Sequence, residues 1–183
     1  MQPEAPAAPA ASDLAIVLTG GGARAAYQVG FLRCLARRMP ELRFPIITGV
    51  SAGAINAVYL ASHPGTAEEA VEGLTDLWSG LRIEHVFQAN TSSLVRQMLR
   101  WGFTLLSGGS RLGPRVRGFV DTEPLRRFLR GSLRVENGEV GGIAENCQRG
   151  RLIAVALTTL DSATGRTVTW VQGRELEGWE RSY

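Results

Sequence analysis

Two short apolar runs, each breaking into a glycine turn and then into a helix-like segment, constrain this chain more than any other feature. The first is "LAIVL", Leu14 to Leu18, which ends in Thr19 and three glycines. The second is "FPIITGV", which ends in Ser51 and opens into "AGAINAVYLAS". Apolar runs of this length bounded by turn residues read as buried strands. From Arg24 to Arg38 apolar residues recur at helical spacing, Tyr27, Phe31, Leu32 and Leu35 among them, while Arg33, Arg37 and Arg38 take other positions. That predicts an amphipathic helix, with Pro40 shortly after its end. "AGAINAVYLAS" is apolar on most sides and predicts a buried helix. "TAEEAVEGLTDLWSGL" predicts a third helix and opens on Thr66-x-x-Glu69, a capping-box spacing. Strand, turn, helix, strand, turn, helix is a βαβα order. The expected class is α/β, a mainly parallel sheet with helices on both faces and right-handed crossovers.

Phe44 to Ala67 carry no charge, but Pro45, Thr48, Ser51, Asn56 and the glycines interrupt the stretch, so a strand, a turn and a buried helix explain it better than a membrane span. Further on, "SSLVRQMLRWGFTLLSGG" predicts a helix with Leu94, Met98, Trp101 and Leu105 on one side. Asp121-Thr122-Glu123-Pro124 makes a good start for a helix over "LRRFLRGSL". "RLIAVALTTL" and "RTVTW" predict a hairpin closed by the five residues "DSATG".

The length of 183 residues suits one domain with a sizeable core. Residues 1–12, rich in proline and alanine, lack the basic and apolar regions of a secretory signal and are expected to be a disordered leader. The α/β domain is then expected over residues 13–183. A net charge of +3, carried by arginine without lysine, is too small to argue for nucleic acid, and no nucleic-acid-reading motif is present. Cys34 and Cys147 lack metal-ligand spacing and are expected to be reduced, buried thiols of a cytoplasmic protein.

The two turns carry chemistry. Gly49-Val50-Ser51-Ala52-Gly53 has the form G-x-S-x-G. A serine on a sharp strand-to-helix turn points into a site, and Gly49 and Gly53 let strand and helix pass closely. The start of the following helix offers unpaired backbone N–H groups to developing negative charge. Gly20, Gly21 and Gly22 let backbone N–H groups approach an oxyanion, as acyl transfer requires. An ordinary glycine-rich turn is the plain alternative. Gly20-x-Gly22-x-x-Ala25 also fits a dinucleotide fingerprint, but the second strand ends in Thr48-Gly49-Val50-Ser51, without the acid that would hold a ribose.

Taken together, "GGGARAAYQVG", "GVSAG" and the later "DSATGRTVTW" resemble the patatin-like phospholipases, from about Asp13 onward. The resemblance implies a serine acyl hydrolase that cleaves acyl esters of lipids through a Ser51 acyl-enzyme. It makes the Gly20–Gly22 backbone the oxyanion hole and Arg24 the basic residue that fixes the loop. It implies no metal, no organic cofactor and a lipid substrate, while the location is expected to be cytoplasmic, with a peripheral position at a membrane as the alternative. Ala25 departs from the glycine common after the basic residue, which suits a helix starting there. The family pairs its serine with an aspartate in an Asp-Gly-Gly or Asp-Gly-Ala motif. Asp13, Asp76, Asp121 and Asp161 are each followed by another residue, so the sheet is expected to be incomplete at its C-terminal side and the dyad base absent. An inactive fragment is one expectation. A non-catalytic remnant, or a lipid-binding partner protein on the same fold, is the other.

Substitute bases read poorly. Ser51, Asp76 and His85 follow the order of α/β-hydrolase triads, but Asp76 belongs to a single helix after the serine. His63, before Pro64 at a helix end, reads as a partner of the C-terminal dipole, and Asp161 as a turn residue. Arg111, Arg115, Arg117, Arg126, Arg127, Arg130 and Arg134 make one region basic beside Trp101 and Phe103. A solvated helix face is the favoured reading, and an anionic lipid surface the alternative.

Overall fold

The computed structural model describes residues 14–82, 86, 123–161 and 164–174. The chain divides into two compact units, residues 1–79 with 133–183 and residues 80–132. In the larger unit the chain begins with β1 (Ala15–Leu18), a 3-10 turn (Gly22–Arg24) and α1 (Ala25–Arg38). It continues through β2 (Ile46–Val50), α2 (Ala52–Ser62) and α3 (Ala67–Gly80). The βαβα order read from the sequence is therefore present, and α2 spans the whole of "AGAINAVYLAS".

After α4 (Glu123–Ser132), which belongs to the smaller unit, come β3 (Val135–Glu136), β4 (Glu139–Val140), α5 (Ile143–Gln148), β5 (Ala154–Leu160) and β6 (Thr167–Gly173). The main sheet has the order β1-β2-β5-β6. β1, β2 and β5 run parallel, with Leu18 beside Gly49 and Gly49 beside Leu157, and β6 returns antiparallel to β5. This is an α/β fold with a mainly parallel sheet.

Burial corrects two readings. β1 is buried at Leu18 (3% exposed) but not at Val17, which is 69% exposed. Successive side chains on a strand alternate faces. The face that holds Leu18, Ile47 and Val155 packs beneath α2, which places Ala57 over Gly49. On α1 the inward residues are Ala25, Val29, Leu32 and Ala36, whereas Tyr27 and Phe31 are 83% and 56% exposed. Two apolar stripes share this helix. The smaller side chains face α2, and the ring-bearing stripe faces out together with Cys34, which is exposed rather than buried. Cys147 is buried, and burial pushes its thiol pKa up. Arg33 and Arg37 tie α1 to α3 by reaching Glu72 at 2.8 and 2.9 Å.

The β5–β6 hairpin forms as expected, but its connection runs from Asp161 to Arg166, one residue beyond "DSATG". The Asp161 N–H donates to the Arg166 carbonyl at 2.8 Å, just beyond the last ladder pair of Leu160 and Thr167. A second hairpin, β3–β4, turns on Asn137 and Gly138 with φ of 51° and 87°. Asn-Gly is the strongest short hairpin signal, and the sequence reading above does not use it.

In the smaller unit, α4 starts with Glu123 in its first turn, as the acidic start predicts. Leu125, Phe128 and Leu129 are half-buried, and Arg126, Arg127 and Arg130 are exposed. The leader, the helix expected around Trp101 and Phe103, and Asp121, His85, Arg111, Arg115 and Arg117 lie outside the described residues. Among the described residues no helix is long and apolar enough to cross a membrane.

The capping box at the start of α3 is made in both directions. The Thr66 N–H donates to Glu69 Oε2 at 2.7 Å, and the Glu69 N–H donates to Thr66 Oγ1 at 3.2 Å. The bond from the Thr66 N–H, followed by the one with its side chain, lowers the Glu69 pKa from an unfolded-chain value of 4.5. A depressed folded-state pKa gives a stabilisation that is complete above the unfolded value and is lost as pH falls through the folded value. Glu69→Gln should therefore melt below the wild type at neutral pH, with the gap closing as the pH drops below 4.5. Thermal melts at pH 7, 4.5 and 3 check this, and a gap that stays constant with pH would contradict it.

Candidate active site

β1 and β2 are neighbours and parallel, so their C-terminal ends deliver two turns to one edge of the sheet. The turns touch. A Cβ placed on Gly20 would lie 3.0 Å from Ser51 Cβ and 3.7 Å from Ser51 Oγ. Ser51 is exposed and has φ 55° and ψ −129°, a backbone conformation that side chains disfavour. Such a residue stores about 1–3 kcal/mol of strain. It is the N-cap of α2, yet its hydroxyl makes no capping hydrogen bond. An N-cap serine ordinarily turns its oxygen onto the helix, and this one does not.

The reason the elbow bends so sharply lies in its glycines. A Cβ on Gly53 would run into the carbonyl groups of Leu18 and Thr19, and one on Gly49 would sit 2.7 Å from both Ala57 Cβ and the Gly53 carbonyl oxygen. The first turn of α2 thus rests directly on the end of β1. In the glycine loop, Gly22 has φ 57°, and the Arg24 N–H donates to the Gly21 carbonyl at 3.2 Å to close the 3-10 turn. Gly20, Gly21, Gly22 and Arg24 are all exposed at this edge. Ala25 is helical with φ −64° and 1% exposed, which fits a helix that starts there.

A sequence profile of the patatin-like phospholipases matches residues 16–172, from β1 into β6. The chain belongs to the patatin-like phospholipase family. No curated protein and no solved structure matches it significantly. Membership makes this a domain of the lipid acyl hydrolase type and implies a lipid substrate.

Behind the two turns of this patatin-like domain runs a polar chain that the sequence reading missed. Asn56, on α2, is fully buried. Its Oδ1 accepts from Trp78 Nε1 of α3 at 2.7 Å, and its Nδ2 donates to Gln28 Oε1 and the Ala25 carbonyl of α1, both at 3.2 Å. Gln28 Nε2 in turn donates to the Thr19 carbonyl at 2.8 Å and to Thr19 Oγ1 at 3.2 Å. The available signal was a single amide inside an otherwise apolar helix, because a buried polar group needs partners.

The other sequence candidates stand apart. His63 caps the C-terminal end of α2, and the 11 residues of that helix put it on the order of 16 Å from the Ser51 end. Its Nδ1 accepts from the Gly65 N–H at 3.1 Å, its ring stacks on Tyr59, and burial lowers its pKa. Its place at the helix end is the one expected from the sequence. Asp76 lies exposed within the single helix α3. Asp161 Oδ2 accepts from the Thr164 hydroxyl at 2.7 Å, a turn role. A pocket of about 640 Å³, lined by Leu35, Phe44, Pro45, Leu60, Val71 and Leu152 among others, lies where β2 and β5 begin, at the opposite end of the strands from Ser51.

Strain at the elbow has a measurable signature. Glycine adopts φ near 55° freely, whereas alanine shares the penalty of serine. Ser51→Gly should be more stable than Ser51→Ala by about 1 kcal/mol, read from chemical denaturation midpoints. Equal midpoints would mean that the elbow is unstrained. Gly53→Ala should fail to fold or lose several kcal/mol, as expected of overpacking against rigid backbone, and a near-wild-type melt would show that α2 can back away from β1.

Proposed function

We propose that the protein hydrolyses acyl esters of lipids through an acyl-enzyme on Ser51. The observation that carries this reading is a strained, exposed serine whose hydroxyl is withheld from capping its own helix and set beside Gly20. In the reaction Ser51 Oγ attacks the ester carbonyl carbon and gives up its proton to a base. The carbonyl oxygen becomes an oxyanion, and the backbone N–H groups of Gly20–Gly22, with those at the start of α2, receive it. Collapse expels the protonated alcohol, and water then cleaves the acyl-enzyme to free acid and serine. Arg24 closes the glycine loop through its backbone N–H and keeps a positive charge beside it. None of the aspartates of these 183 residues stands in the family's Asp-Gly-Gly or Asp-Gly-Ala motif, and the proton acceptor is left unassigned among the described residues.

A competing reading is a non-catalytic lipid-binding protein on the same fold. The exposed arginines of α4, Arg126, Arg127 and Arg130, would serve either version as a peripheral contact with anionic lipid. A fluorophosphonate probe separates the two. Labelling of purified protein that disappears in Ser51→Ala supports the hydrolase. A folded protein, checked by circular dichroism, that takes no label even when expressed from its full coding sequence supports the lipid-binding version.

A further inference from the structure

We propose that Trp78, Asn56 and Gln28 form a directional relay that fixes the peptide plane between Thr19 and Gly20 and so aims the glycine loop at its oxyanion. The inference rests on reading Gly20–Gly22 as that loop. Neither end of the relay can reverse. The Trp78 indole N–H only donates, so Asn56 must turn its oxygen to it and its amide nitrogen to Gln28. Gln28 must then present its oxygen to Asn56 and its nitrogen onward. The onward partner is the Thr19 carbonyl, which only accepts. Each side-chain amide therefore has one satisfied orientation, and each helix of the layer, α3, α2 and α1, contributes one member.

The relay ends at a peptide whose other half belongs to the loop. In a trans peptide the C=O and the next N–H point in opposite directions, and among the described residues there is no cis bond. Holding the Thr19 carbonyl against Gln28 thus fixes where the Gly20 N–H points. The same carbonyl also lies against Gly53, the residue that lets α2 approach β1, where an added Cβ would run into it. Ser51 sits two residues before Gly53, so one peptide plane is located by the elbow and by the relay together. Three glycines in a row would otherwise leave the loop free to rotate. Gln28 is a positioning residue in this scheme, as are Asn56 and Trp78, since none of them reaches the reacting atoms.

Gln28 is half-buried and stands next to the loop, whereas Asn56 is fully buried, so Gln28 variants are the ones expected to fold. Gln28→Met keeps the length and removes all three side-chain hydrogen bonds. Gln28→Glu keeps the shape and replaces the donor with a carboxylate oxygen facing the Thr19 carbonyl, and it regains a donor when protonated. Two readouts are taken on purified protein. Backbone amide resonances of Gly20, Gly21 and Gly22 report the loop itself, and saturation kinetics of fluorophosphonate labelling separate probe binding from the rate of reaction at Ser51.

The expected result is displaced loop resonances in both variants, with a labelling rate at saturation lowered about 10- to 100-fold and half-saturation little changed. In Gln28→Glu both defects should shrink relative to wild type as pH falls from 7 toward 5, when the introduced carboxyl protonates. A residue that only braces the fold would lower the melting temperature without this pH-dependent recovery. Loop resonances that do not move in Gln28→Met overturn the relay, whatever the labelling does. Displaced resonances with an unchanged saturating rate overturn its part in the reaction. Displaced resonances in a protein whose wild type, expressed from its full coding sequence, takes no label leave the relay standing and sink the hydrolase reading instead.

Discussion

The contact on which this fold depends is the absence of a side chain at Gly53. It lets the backbone of α2 lie on the last two carbonyl groups at the end of β1, with Gly49 making matching room beneath Ala57. Because α2 is held that low, the connection from β2 must reverse within one residue, and that residue is Ser51 with its positive φ. The same approach brings the second turn against the first, so that Gly20 and Ser51 become neighbours although many residues separate them in sequence. Packing of backbone on backbone therefore creates the strain, the exposure and the juxtaposition in one step.

The helix layer above the sheet is held by two different kinds of polar contact. On its outer side Glu72 joins the arginines of α1, an exposed pair of ion contacts of small net worth. Inside, Asn56 spends its amide on α1 and α3 at once, in a place where any missing partner would carry the desolvation penalty. The inner set is the one that specifies geometry, because a buried amide tolerates a single arrangement whereas surface ions tolerate many.

Much of this was legible in the sequence, and the limits are physical. The order of strands and helices, the span of α2 and the Thr66–Glu69 box follow from local pattern, and local pattern is what a linear reading weighs. The G-x-S-x-G elbow and the glycine loop could be placed on adjacent turns because parallel strands joined by a helix bring their ends together. What failed needed partners distant in sequence. Tyr27 and Phe31 lie at helical spacing as well as Val29 and Leu32 do, and only the shape of α2 decides which stripe goes inward. His63 read as a partner of the helix end, and the Gly65 N–H on its Nδ1 and the stack on Tyr59 needed the folded loop to be seen. The relay draws one residue from each of three helices, so no window of sequence contains it. The Asn137-Gly138 hairpin was different, a local signal that was simply not used.

The sheet also sets the timing of assembly. β2 finds β1 nearby, but its other edge pairs with β5, with Ile46 against Ala154, across more than half of the chain. Contacts of such long sequence separation form late and slowly, since loop closure must precede any gain from them. On a ribosome, β1, α1, β2 and α2 emerge long before β5, and β2 waits with one edge unpaired. The Ser51 elbow is thus built into the early half, while the strand that encloses it comes from the late half. Low temperature and slow synthesis should favour recovery of soluble protein over aggregation through that waiting edge.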